Sequence, residues 1–262
     1  MTYLNWCIDY LKDYNHISQN LEYNWTTLRA LLNITMPYDL SEEFYDKQDG
    51  VIKEIVAKKE IFNVDNVDDG ISLYKGDITL IKADAIVNAC NNKLLGCFVP
   101  GHHCIDNAIH SFAGLEVRRD LMKIMEAQGH DEENGKCKVT KAYNLPSKYI
   151  FHTVGPVYSG SKQDTLDLES CYLSCLKVAD KMKLDSIVFC SLSTGIFGFP
   201  IEKASEIAIR TVKKYLEEEN KNIKKVIFNL FSDGDYDVYN RKIKEINWWS
   251  WSHCHRSRSG II

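Results

Sequence analysis

The chain has 262 residues, 45% of them hydrophobic and 26% charged, with a formal net charge of −4 at pH 7. That length is enough to bury a substantial core, as one large domain or as one domain with an extension, and the composition is ordinary for a soluble globular protein. The acidic balance argues against non-specific nucleic-acid binding, which relies on neutralising many phosphates, but leaves room for one small anion held on backbone amides.

Residues 1–68 read as a helical extension. Leu4, Cys7, Ile8 and Leu11 recur at helical spacing, as do Trp25, Leu28, Leu31 and Leu32. Ser41 is suited to cap a third helix carrying Phe44, Val51, Ile52, Ile55 and Val56 on one side. The run NVDNVDDG, ending at Gly70, reads as the loop that closes this section.

From Ile71 the pattern changes. Short apolar or β-branched runs (ISLYKGDITLI, DAIVNA, YIFHTV, SIVFCSL and KVIFNLF) alternate with helical patterns at 105–112, 116–128, 168–182 and 202–218. Near-continuous apolar strands separated by helices predict a sheet covered on both faces, a three-layer α/β/α domain over residues 69–246. Ligands gather outside the strand ends of such sheets. The segments NACNN, GCFVPGHHCID and STGIFGFP all fall in such loops. Residues 247–262 lack periodicity in their last dozen positions and read as a disordered or artificial tail. A second metal site at His253, Cys254 and His255 is the sharper alternative there.

Nine cysteines cannot all pair within one chain. The opening residues show no basic start followed by an apolar run, and no segment approaches the length of a membrane span. A reducing cytoplasm with no membrane partner is therefore the expectation, and the Asn-x-Thr matches at Asn24 and Asn33 read as chance. In that setting cysteines are buried, metal-bound or catalytic more often than cross-linked.

The loop LLGCFVPGHHCIDN carries the strongest chemistry. Cys97, His102 and Cys104 offer two thiolates and an imidazole to one tetrahedral ion, His103 could replace His102, and Pro100 and Gly101 allow a tight turn. Three protein ligands leave a fourth position open, and Asp106 follows at once as a carboxylate able to act there. The competing reading is a pair of buried thiols. Ser193, Thr194, Gly195, Ile196, Phe197 and Gly198 lie between an apolar strand and a helix, where amides can close around a phosphate, although an ordinary strand-to-helix turn has the same look. Asp77, Asn88, Asn91 and Asn92 at strand ends could read a purine amino group and sugar hydroxyls, or serve as turn caps. His110, His152, and the Cys171–Cys175 pair read as core residues.

Together, GDITLIKADAIVNACNN, the Asp106 loop, YIFHTVGPVY and STGIFGFP closely resemble the macrodomain family over residues 71–244. The resemblance implies a mixed central sheet and an ADP-ribose pocket. The glycine run usual before the aspartate in hydrolytic members is replaced here by GCFVPGHHCID. With the N-terminal helices, this is similar to the zinc-dependent branch found in bacteria and some fungi. In some bacteria its members sit beside a macrodomain-linked sirtuin and a lipoylated carrier protein. By that resemblance Asp77 and the Ile78 backbone would hold adenine, Phe231 would stack on it, and 193–198 would hold the pyrophosphate. Asn91 and Asp106 would face the distal ribose. Zinc on Cys97, His102 and Cys104 would act as a Lewis acid or lower the pKa of a bound water to about 7. The expected activity is removal of mono-ADP-ribose from protein side chains, with an ADP-ribosylated protein, such as a lipoylated carrier, as partner. A non-catalytic reader and an O-acetyl-ADP-ribose deacetylase are the alternatives.

Overall fold

The computed structural model of the chain describes residues 1–256, with side chains to residue 246. His253, Cys254 and His255, and the rest of the tail, lie outside the described side chains. Three capped helices open the chain. In α1 (Tyr3–Tyr14) the Thr2 side chain accepts from the Asn5 N–H, in α2 (Trp25–Ile34) Asn24 accepts from Thr27, and in α3 (Glu42–Val56) Ser41 accepts from Phe44. Each cap satisfies an amide that the first helical turn leaves without a partner. Their apolar stripes bring Cys7, Ile8 and Leu11 against Leu28, Leu31, Leu32 and Phe44, with Leu115 of the following domain in the same cluster. Ile52 of α3 lies in the main core, and the Trp25 and Phe112 rings are 5.2 Å apart. The extension therefore shares its core with the domain instead of standing apart from it.

The domain runs β1 (Phe62–Asn63), β2 (Gly70–Lys75), β3 (Ile81–Lys82), β4 (Ala85–Cys90), α4 (Ile105–Ala113), α5 (Leu115–Gln128), β5 (Cys137–Lys141), β6 (Tyr149–Val154), α6 (Lys162–Lys181), β7 (Ser186–Cys190), α7 (Ile201–Glu218), β8 (Lys225–Leu230) and α8 (Asp233–Arg256). Six strands form a sheet in the order β2-β8-β7-β4-β6-β5, parallel except for the antiparallel β5–β6 pair. This is the expected mixed sheet with helices on both faces. Asn88 and His152, neighbours in register, turn to the face where the His110 ring of α4 lies. Phe189 and Phe228 turn to the other face, against Tyr172 of α6 and Tyr239 of α8.

Three local differences from the sequence reading have physical causes. The run 71–81 breaks after Lys75, because Asp77 caps a short 3-10 turn, Ile78–Leu80, by accepting from the Thr79 N–H and hydroxyl. Helix α6 starts six residues before the apolar pattern does, on a capping box in which Ser161 and Asp164 satisfy each other's backbone amides. Strand β5, with its sequence CKVTK, is half-polar because it is an edge strand.

A polar joint fastens α3 to α5. The buried Gln48 accepts from the Leu115 N–H and donates to the Glu116 carboxylate, 2.9 Å in each case. Burial, and then the nearby Asp49 carboxylate, push Glu116 up to about 7. A raised carboxyl pKa gives stability that is complete below the unfolded value near 4.5 and is lost as pH rises through about 7. Glu116→Gln should therefore gain about 2 to 3 kcal/mol over the parent at pH 8 and almost nothing at pH 4.5. Urea unfolding at both pH values tests this, and an equal gain at each would contradict it.

Candidate active site

The parallel strands set the site. Lys75 pairs with Leu230, Asn229 with Cys190, and Cys90 with Val154, so the carboxyl ends of β2, β8, β7, β4 and β6 finish at one edge. The loops carrying Asp77, Phe231, Ser193–Gly198, Asn91 and Gly155 therefore leave the sheet together. Asn229 ties two of them by donating to the Gly76 carbonyl at 3.0 Å.

The 193–198 loop is shaped by its own backbone. Gly198 donates to the Gly195 carbonyl at 3.0 Å, and Phe199 to the Ser193 carbonyl at 2.9 Å. Tyr158 donates to the Phe197 carbonyl at 2.8 Å, which seats the loop on the segment after β6. Gly155 packs so closely on Ser193 that an added Cβ would lie 2.1 Å from its hydroxyl oxygen. Ser193 and Gly198 both have positive φ, 62° and 67°. Space above Gly195 and Gly198 is open, and Gly195, Ile196 and Gly198 are exposed. Such a loop can take an anion on its amides. Thr194 instead spends its hydroxyl on the Ser191 carbonyl. Phe231, just past β8, is 83% exposed and free to cover a flat ring.

Between β4 and α4 lies the donor loop. The Sγ of Cys97 is 3.6 Å from Nδ1 of His102, and Cys97, His102 and Cys104 each offer a ligand atom within 4.8 Å of the others. Zinc with ordinary Zn–S and Zn–N bonds holds tetrahedral ligands about 3.5 Å apart. The donor set thus fits the ion in type, and the Cys97–His102 pair fits it in spacing as well. His103 is exposed and lies outside this group. Cys104 is the N-cap of α4, and its sulfur accepts from the Asn107 N–H at 3.4 Å. Burial raises its thiol to about 12, with the neighbouring Cys97 adding to the effect and the Asn107 N–H opposing it.

Asp106 is buried in the first turn of α4, and its Oδ1 accepts from Asn88 at 2.8 Å. Burial pushes the carboxyl up to about 6, against Asn88 and the charge of Arg118. His110, one turn on, lies 3.4 Å from the same oxygen, and neither ring nitrogen makes a hydrogen bond. Burial, then Arg118 and His152, hold it neutral. His152 is a core residue, bonded to the Thr140 hydroxyl at 2.9 Å and held down to about 3 by burial. Cys171 and Cys175 are buried in the core as well.

The asparagines divide. Asn91 accepts from the Lys93 N–H at 3.0 Å and donates to the Gly96 carbonyl at 3.2 Å, so its side chain shapes the turn that leads to Cys97. Asn92 is bonded to Asp131. Asn88 grips Asp106, a part the strand-end reading had not singled out. Sequence reasoning also passed over Arg118, whose one visible signal is a charge three residues before Leu121 on the apolar stripe of α5. It is 1% exposed and donates to the carbonyls of Leu95 at 2.7 Å, Leu32 at 2.9 Å and Thr35 at 2.6 Å.

A sheet of this order, with these loops at its carboxyl edge, defines a macrodomain, and the chain belongs to that family. It matches the Macro domain over residues 87–208. It is 44% identical over an alignment of 222 residues to a Staphylococcus aureus protein named Protein-ADP-ribose hydrolase, with 82% of this chain and 83% of that one covered. A solved Oceanobacillus iheyensis macrodomain variant with ADPR is 36% identical, with a TM-score of 0.63, covering 69% of this chain and 95% of that one. The Trypanosoma brucei macrodomain in complex with ADP-ribose is 30% identical, with a TM-score of 0.63, covering 82% and 94%.

Of the donor-loop glycines with positive φ, Gly96 is the one crowded by a neighbour. Gly96 has φ +87°, and an added Cβ would meet the His110 ring at 3.0 Å. Gly96→Ala should lower stability by about 1 to 3 kcal/mol, combining backbone strain with overpacking. Thermal unfolding checks this, and an unchanged Tm would mean that the loop yields freely.

Proposed function

We propose that this protein hydrolyses the bond between ADP-ribose and a protein side chain, with a zinc ion held by Cys97, His102 and Cys104. The observation that carries the reading is the donor triad two residues from a buried carboxylate, at the sheet edge where the amide loop opens. The hydrolase name of the Staphylococcus relative and the ADP-ribose in the Trypanosoma complex support the substrate. The partner is an ADP-ribosylated protein in a reducing compartment.

The amides of 193–198 take the pyrophosphate, Asp77 the adenine amino group and Phe231 the adenine face. That remote binding energy fixes the terminal ribose over the loop that carries Asn91 and Asp106. When bound, zinc would supply a Lewis acid beside the terminal sugar. Asp106, raised towards neutrality and held by Asn88, takes a proton from the attacking water as the bond to the side chain breaks. ADP-ribose and the unmodified side chain are the products. A module that only reads the modification has no use for a donor triad beside a poised carboxylate.

Zinc-loaded protein should release the label from a mono-ADP-ribosylated protein over many turnovers. A label that stays while free ADP-ribose still binds would leave only the reader. Competition with O-acetyl-ADP-ribose should favour the protein substrate in kcat/KM, and the reverse order would reassign the substrate. Cys104→Ala is expected to lose zinc and at least 100-fold in kcat, and full activity in metal-free protein would exclude a catalytic metal. Asp106→Ala should keep zinc and ADP-ribose while kcat falls by about 10²- to 10⁴-fold. A rate near that of the parent would remove its assigned role.

A further inference from the structure

Besides its bonds to Asn91, Asn107 and Arg118 of the macrodomain, the donor loop is held directly by two residues of the N-terminal extension. Asn33 of α2 is 1% exposed, and both ends of its amide reach across the fold. Its Oδ1 accepts from the Gly101 N–H at 2.9 Å, at the turn between Cys97 and His102, and its Nδ2 donates to Ser111 of α4 at 3.0 Å. One turn earlier on α2, Arg29 donates to the His102 carbonyl at 3.0 Å and to Oδ1 of Asn107 at 2.8 Å. Asn107 is fully buried, gives its N–H to the Cys104 sulfur and gives its side-chain amide to the Val99 carbonyl at 3.0 Å. His102 and Cys104 are thus each within one bond of a group that α2 holds, and Cys97 lies two residues before the turn that Asn33 braces.

We infer that Asn33 and Arg29 are positioning residues of the donor centre, and that α2 sets the separation of Cys97, His102 and Cys104 for a divalent cation. The inference rests on the metal reading above and adds to it that the extension is part of the site. Groups that orient metal ligands in this way typically account for 10- to 100-fold in metal affinity or activity. Arg29 is half-buried, so its loss removes the bonds without opening the core.

The test uses the full chain, stripped of metal by a chelator and titrated with Co²⁺, with the thiolate-to-cobalt absorbance as readout. Arg29→Ala and Asn33→Ala should each weaken Co²⁺ by about 10- to 100-fold and lower kcat to match. ADP-ribose affinity of the metal-free protein should stay within about twofold, and Arg29→Lys should restore part of the cobalt affinity. Leu28→Ala takes apolar packing from the same helix and none of these bonds. It should lower the Tm while leaving cobalt affinity within about twofold. Parental cobalt affinity in both Arg29→Ala and Asn33→Ala, or an equal loss in Leu28→Ala, would overturn the positioning role while leaving the metal site intact. A parent chain that takes up neither Co²⁺ nor Zn²⁺ would overturn the metal reading and this inference together.

Discussion

The buried guanidinium of Arg118 is the group on which the rest of the arrangement depends. A cation taken out of water must find partners, and this one finds three carbonyls, two at the end of α2 and one in the donor loop. Leu32 and Thr35 lie at the carboxyl end of α2, where the helix dipole is negative, and Leu95 opens the donor loop two residues before Cys97. Burial brings Arg118 down only to about 10, so it stays charged at neutral pH, and its field, after the Asn88 hydrogen bond, opposes the rise that burial imposes on Asp106. One side chain therefore joins the extension, the loop and the acid.

From that joint the site assembles by topology. Parallel strands deliver their loops to one edge, and Gly155 and Tyr158 press the 193–198 loop into an open curve of amides. The donor loop follows β4, stiffened by Asn91 within the turn and by Asn33 and Arg29 from outside it. The amide loop and the donor loop leave the sheet separately, from the neighbouring strands β7 and β4, and residues 85–88 of β4 are all buried. Such separation suits a substrate recognised at one end and cleaved at the other.

Much of this was legible in the sequence. Apolar periodicity located the extension and the main strands, because burial on one or both faces leaves a mark on every second or third residue. The CFVPGHHC run singled out Cys97, His102 and Cys104 by residue type, and the structure brings these three side chains together. Edge strand β5 was not legible, because an exposed edge does not require apolar residues. Nor was the support of the loop, because Arg118, Arg29 and Asn33 are polar residues on helical stripes whose partners lie about 20 to 90 residues away in the chain. Long-range hydrogen bonds leave no period. Asn91, expected at the sugar, also shapes its own turn, as short amides at strand ends often do.

Anomalous diffraction at the zinc edge, from crystals of the full chain grown with zinc and ADP-ribose, tests the central claim most directly. The account predicts one strong peak among the Cys97 and Cys104 sulfurs and His102 Nδ1, at bonding distance from all three, with its remaining side turned to the terminal ribose. No peak there, or one closed off from the sugar by a fourth protein ligand, would contradict it.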